Sequence, residues 1–203
     1  MTCKNIVICG EPVLRKKARP IRDIGQEVAD LVQGMVATML EASGLGLAAP
    51  QVGQAVQAIV ARGDSEPEAP VYRLLNPRLV TAEGEQVGRE GCLSLPTLYG
   101  QVKRPERVIV RGVTPEGEET TLEAEGLLAR ALLHEIDHLR GVLFTDLAPE
   151  ESLVWMVPDA EDEDGYRYEA TTLREAQAAF DRLRARQDRT ENGRDARPAG
   201  SQK

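Results

Sequence analysis

Two histidines, and only two, occur in this 203-residue chain, and they stand four residues apart, at His134 and His138. The segment around them, Leu127 to Gly141, sets Leu128, Leu132, Ile136 and Leu139 at helical spacing and closes on a glycine suited to a helix stop. On a helix, residues four apart lie on one face, one turn apart. His134-Glu135-Ile136-Asp137-His138 therefore fits H-E-x-x-H. Both imidazoles can reach one metal ion. Glu135 projects beside that ion, where a carboxylate can take a proton from bound water and hand it to a leaving amine. So short a match leaves one alternative open, a pair of half-exposed histidines on a charged helix.

A catalytic metal site commonly takes three protein ligands and keeps one position open. Without a third histidine, the third ligand has to be Cys, Asp or Glu. Cys92 stands in Arg89-Glu90-Gly91-Cys92-Leu93-Ser94-Leu95-Pro96, which reads as a loop or strand end. A lone cysteine is ordinarily a small core residue, but this company makes Cys92 the candidate. One thiolate and two neutral imidazoles leave a divalent ion with one positive charge, and water bound to it turns acidic near neutral pH. Cys3 and Cys9 read as inert thiols, and three unevenly spaced cysteines do not suggest a disulfide framework.

The remaining pattern mixes helices with antiparallel hairpins and has no βαβ rhythm, so the expected class is α+β. Val28, Leu31, Val32, Met35, Val36, Met39 and Leu40 predict a helix over 25–42, ended by Ser43-Gly44. Gly44 to Gly53 is too rich in Gly and Ala for an ordinary helix or strand and suits a close backbone approach. Strands are expected at 55–61 and 71–75 with an exposed loop at 64–70, a turn at Asn76-Pro77, and a short extended piece at 79–81. Val108-Ile109-Val110 and Thr120-Thr121-Leu122 flank Pro115-Glu116-Gly117 as a hairpin. Residues 1–157 read as a catalytic domain. Residues 158–203 read as an acidic solvated loop at 159–165, a surface helix over 172–187 capped by Thr171 or Thr172, and an unstructured tail from Asp188.

Composition excludes some classes. A net charge of -8 argues against reading nucleic-acid phosphates. No run reaches the roughly 18 apolar residues that span a bilayer, and the apolar start Ile6-Val7-Ile8-Cys9 is too short for a secretory signal. No membrane partner and a cytoplasmic location are expected.

Three segments in order, Gly44-Leu45-Gly46-Leu47-Ala48-Ala49-Pro50-Gln51, Glu90-Gly91-Cys92-Leu93-Ser94 and His134-Glu135-Ile136-Asp137-His138, resemble the marks of the peptide deformylase family. Pro12-Val13-Leu14-Arg15, Asn76-Pro77 and Gly141-Val142-Leu143-Phe144 are also similar to it, so the resemblance spans about residues 5–150. It implies antiparallel sheets packed around a central metal-binding helix, with a C-terminal helix. It implies Cys92, His134 and His138 as ligands of one divalent ion, usually Fe(II), with Zn, Ni or Co as substitutes. It implies removal of the formyl group from N-formylmethionyl nascent polypeptides, releasing formate. Metal-bound water would attack the formyl carbonyl with Glu135 as general base and acid. Gln51 and the Leu93 backbone N–H would stabilise the oxyanion. Gly46 would hydrogen-bond the peptide, and Glu90 would sit near the metal site. Leu45, Leu127 and Ala131 are candidates for the methionine pocket, with plain core packing as their alternative.

Departures from that pattern are Leu133, where the family commonly has Gln, Arg130 where an apolar pocket residue is expected, and Thr97 and Tyr99, where a basic residue often helps hold the peptide. Arg104 is either a further residue of the site that the resemblance implies or a plain surface charge. The C-terminal helix, through Arg182, Arg184 and Arg186, could dock at the ribosome or be an ordinary solvated helix. Besides an active deformylase, two readings stay open: a hydrolase of another N-acyl amine, and a metal-binding or ribosome-associated module without catalysis. Intact Glu135 and Gln51 speak against the last.

Overall fold

Helices and antiparallel strands make up the computed structural model, which describes residues 2–66 and 68–195. In chain order these are α1 (Gln26–Glu41), β1 (Gly46–Ala48), β2 (Ala58–Ala61), β3 (Tyr72–Glu83), β4 (Gln86–Cys92), β5 (Leu95–Arg104), β6 (Arg107–Val113), β7 (Glu119–Glu125), α2 (Gly126–Arg140), β8 (Val154–Pro158), β9 (Tyr166–Ala170) and α3 (Leu173–Asp195). All strand pairs are antiparallel, in one sheet ordered β1-β2-β3-β6-β7 and another ordered β4-β5-β8-β9. The expected α+β class, with sheets around a central helix, is what the chain adopts.

Helix α2 is that centre. Its Leu132, Leu133, Ile136 and Leu139 join Ile59, Val108 and Val110 from the five-stranded sheet in one apolar cluster. Its other face meets β4, β5 and Phe144, whose ring lies 6.3 Å from that of His134. Being covered on both sides, α2 buries His134, Glu135 and His138 along with its apolar residues. The helix stops at Gly141, whose φ of 77° is left-handed, and a Cβ there would lie 2.6 Å from the Arg15 carbonyl oxygen. Helix α1 buries Val32, Met35 and Met39 against Leu47, Val60 and Leu75.

Several expectations are corrected. Strand β3 runs through Asn76-Pro77 instead of turning there. Pro77 cannot donate to the ladder, and the chain absorbs this with a register shift and a φ of 50° at Asn76. The Asn76 amide then accepts from Ile21 N–H and donates to Ile21 C=O, tying the N-terminal stretch to the sheet. Gly46–Ala48 is a strand, made possible by pairing with β2, and residues 55–57 precede the strand expected over 55–61. Strands β4, β5, β8 and β9 were not expected. The buried face of β5 is Leu95, Leu98, Gly100, Val102 and Arg104, so glycine and arginine interrupt its apolar alternation. The acidic run at 159–165 is the exposed turn of the β8–β9 hairpin.

The C-terminal helix opens with Thr172 and Glu175 capping each other reciprocally, Thr172 N–H donating to Glu175 Oε2 and Glu175 N–H donating to Thr172 Oγ1. The tail expected from Asp188 is helical as far as Asp195, and its last part, 196–203, lies outside the described residues. Ala176 and Phe180 of α3 are buried with Ile8, Cys9, Leu95 and Leu98, directly behind the Cys92 segment.

Candidate metal centre and its cleft

Helix α2 presents His134 and His138 one turn apart, their ring centroids 5.0 Å from each other. Strand β4 supplies the third group. At its end the register with β5 shifts between Gly91 and Cys92, and Cys92 Sγ comes to 3.2 Å from His138 Nε2. One donor atom from each of Cys92, His134 and His138 lies within 4.8 Å of the others. Donors about 2.0–2.3 Å from a tetrahedral ion fall within that mutual spread, so the donor set fits one divalent cation.

The ring of His134 is oriented by its far nitrogen. Nδ1 lies 2.9 Å from Glu90 Oε2, which leaves Nε2 for an ion. Glu90 is itself deeply buried and held on both oxygens. Arg104 Nε and Nη2 donate to Oε1 and Oε2 at 2.9 and 3.0 Å, and Arg130 Nη1 donates to Oε1 at 2.8 Å. Asp137 takes the remaining charge of Arg104. Burial pushes the Glu90 carboxyl up, but His134 and Arg104 outweigh it and hold the group down to about 2. Arg104 is thus a buried member of the site, which decides against the surface-charge alternative for it. Arg130 also donates to the Val102 and Gly88 carbonyl oxygens. Its role was missed. An arginine one turn before His134, on the helix face that carries both histidines, was the available signal.

Opposite effects act on the two imidazoles of the metal-free protein. Burial opposes the charge of His134, yet the neighbouring Cys92 and Glu90 raise it well above the ordinary value. Burial, then the charge of His134, pushes His138 well below it. Glu135, 3% exposed, is lifted to about 7, chiefly by burial and against the pull of His134. Its Oε2 is buried with no hydrogen-bond partner. A buried carboxylate with one oxygen free of protein partners, beside the donor set, is equipped to carry a proton.

Gly46 on β1 faces this carboxylate. A Cβ there would meet Glu135 Cδ at 2.8 Å, which explains the small residue. Buried Gln51 accepts from Ala48 N–H at 2.7 Å through Oε1 and donates from Nε2 to Cys92 Sγ at 3.3 Å. That leaves the amide one further N–H on the cleft side. A cleft of about 450 Å³ opens over the site, and Leu45, Gly46, Gln51, Glu90, Leu93 and Glu135 line it. Leu127 and Ala131 line it as well. Leu127 is largely exposed at the rim, whereas Ala131 and Leu45 also pack on the main core. Leu133 faces the core. Arg89, Thr97 and Tyr99 form another wall, and Thr97 has a φ of 62°, unusual for a β-branched residue.

The chain is similar to known proteins in both sequence and fold. The family model described as polypeptide deformylase matches residues 3–153. A peptide deformylase of Natranaerobius thermophilus is 46% identical over 152 residues, covering 74% of this chain and 95% of the relative. Among solved structures, the peptide deformylase of Thermus thermophilus is 46% identical with a TM-score of 0.67, covering 72% of this chain and 86% of that one. A peptide deformylase from Legionella pneumophila is 32% identical with a TM-score of 0.72, covering 91% of this chain and 99% of that one.

Proposed function

This chain belongs to the polypeptide deformylase family, and we propose on that premise that it hydrolyses the formyl amide of N-formylmethionyl nascent chains with Glu135 as the proton carrier. The observation that carries the reading is the convergence of Cys92, His134 and His138, with Cys92 and His134 lining one cleft beside Glu135, whose buried Oε2 has no hydrogen-bond partner. A divalent cation held by those three residues supplies Lewis acidity to the carbonyl oxygen and to water. Fe(II) is the proposed native ion, with Zn, Ni or Co able to substitute, since a Cys-His-His set suits them all.

The protein's own groups do the rest. Glu135 accepts a proton from the attacking water and delivers it to the peptide nitrogen as the C–N bond breaks, so that formate and a free amine leave. The free N–H of Gln51 and the backbone N–H of Leu93 meet the charge that builds on the carbonyl oxygen. Gly46 hydrogen-bonds the peptide backbone. Leu45, Leu127 and Ala131 take the methionine side chain, and Glu90 keeps His134 in its tautomer and orientation. The residues that favoured another acyl group lose that force, because Leu133 packs in the core and the Arg130 guanidinium is held by Glu90 and backbone carbonyls.

Among the described residues no helix is long and apolar enough to cross a membrane; the cytoplasmic location is proposed from the nascent-chain substrate. Docking at the ribosome through α3 is part of the same proposal. Arg184 of that helix is engaged by Asp181 and Glu11.

The test is anaerobic purification with metal analysis, then formate release from a formyl-Met tripeptide with Glu135→Ala alongside. Turnover that needs the metal and disappears in the variant supports the reading. A bound metal without formate from the wild type refutes the substrate.

A further inference from the structure

The hairpin β8–β9 adds two strands to the sheet that forms the Cys92 side of the cleft. Tyr99 pairs with Val154, and Met156 pairs with Tyr168, so the hairpin continues the face that carries Tyr99. On that face the Tyr99 ring lies over Gly91, where a Cβ would meet Tyr99 Cε1 at 2.5 Å. Tyr168 stands edge-on to Tyr99 with centroids 6.1 Å apart, and Tyr166 stands edge-on to Tyr168 at 5.5 Å. The guanidinium of Arg89 is stacked on Tyr168, its Cζ 3.8 Å from the ring centroid.

Arg89 and Tyr99 both line the cleft, and Arg89 is exposed. Among the described residues no carboxylate lies within ion-pair distance of Arg89. In a chain of net charge -8, a cation without a carboxylate partner, stacked on an aromatic ring at the cleft, is available to an anionic group. Arg89 lies three residues before Cys92 on β4, or about 10 Å at strand spacing. An extended peptide advances about 3.3–3.6 Å per residue. A peptide laid along β4, with its formyl carbon at the donor set, would bring its third residue level with Arg89.

We propose that Arg89, positioned by the Tyr168 ring, is a specificity determinant for the third residue of the formylated chain and favours an acidic side chain there. This rests on the deformylase reading of the site and adds a subsite to it. Tyr168 is a positioning residue: it sets where the guanidinium stands and does not touch the reacting atoms. The ring's π face attracts the cation, and the planar guanidinium keeps its edge free for a carboxylate.

The experiment measures formate release from amidated formyl-Met-Ala-Asp, formyl-Met-Ala-Asn and formyl-Met-Ala-Lys by the metal-loaded full chain. Wild type, Arg89→Gln, Tyr168→Ala and Tyr168→Phe are compared. The readout is the Asp-to-Lys ratio of kcat/KM within each preparation, which cancels any loss of folded protein. One exposed attraction plus one exposed repulsion predict a wild-type ratio of about fivefold, carried by KM. It collapses towards one in Arg89→Gln, shrinks in Tyr168→Ala, survives in Tyr168→Phe, and fades in high salt. Formate release at equal rates from the three peptides, or a ratio untouched by Arg89→Gln, overturns the subsite alone. No formate from any peptide overturns the deformylase reading and the subsite with it.

Discussion

Glu90→Gln keeps the size of the side chain and removes its charge, leaving two buried guanidinium groups around a neutral amide. Glu90 accepts from Arg104 at 2.9 and 3.0 Å, from Arg130 at 2.8 Å, and meets His134 Nδ1 at 2.9 Å. An amide at this position must aim its NH₂ at one of those donors. Removing one partner of a buried pair costs about 3–5 kcal/mol. The ionisation of Glu90 gives a second route to the magnitude. Its carboxyl is held at about 2 against an ordinary 4.5, and at about 1.4 kcal/mol per unit this is about 3 kcal/mol. The folded value is the lower one, so this contribution is present above pH 4.5 and is lost as pH falls towards 2. For a chain of this size 3 kcal/mol lowers Tm by about 6–12 °C. Thermal unfolding of the metal-stripped protein at pH 7, wild type against Glu90→Gln, reads it directly, and the gap should narrow below pH 4.5. Because His134 loses its orienting partner, metal affinity should fall about 10–100-fold in a competition titration. A Tm within 2 °C of wild type at pH 7, set against the 6–12 °C expected, would show that the network contributes nothing net and would refute the argument.

Gly46→Ala drives a methyl into the Glu135 carboxylate, at 2.8 Å from Cδ. Formate release should fall about 100-fold while metal analysis stays at the wild-type value, and full activity would separate Gly46 from the role proposed for Glu135. In Gly141→Ala a left-handed residue gains a side chain 2.6 Å from the Arg15 carbonyl oxygen. The conformation alone costs about 1–2 kcal/mol, so an unchanged melting temperature would contradict the helix-stop geometry. Phe180→Ala empties a site behind the Cys92 segment, where the ring is 5.6 Å from Trp155. A loss of about 3–5 kcal/mol is expected in urea, followed by the fluorescence of this single tryptophan.

How much was legible varied with how local each feature is. H-E-x-x-H needs only the 3.6-residue period to place two imidazoles on one metal, and its helix is found within a residue of the expected ends. Gly141 could be read as the stop because a left-handed C-terminus is a local preference. The small residues at 44–53 could be read as a close approach, and the partner is Glu135, far along the chain. Strand β4 and its hairpin with β5 could not be read, since their inward positions include Glu90, Gly100 and Arg104. A polar inward face erases the alternation that marks a strand.

By itself, then, the sequence determined the α+β class, the metal-binding helix, and the residue types able to hold an ion and move a proton. Only the tertiary structure decided which charges are interior. Arg104, Arg130 and His134 stand 14, 40 and 44 residues from Glu90, and they meet because α2 is packed against β4 and β5. The same holds for Arg89 and Tyr168, brought together by the hairpin folding back beside β5. A charge costs little on the surface and several kcal/mol in the interior unless paired. Whether it is paired depends on neighbours distant in sequence, which no short-range period encodes.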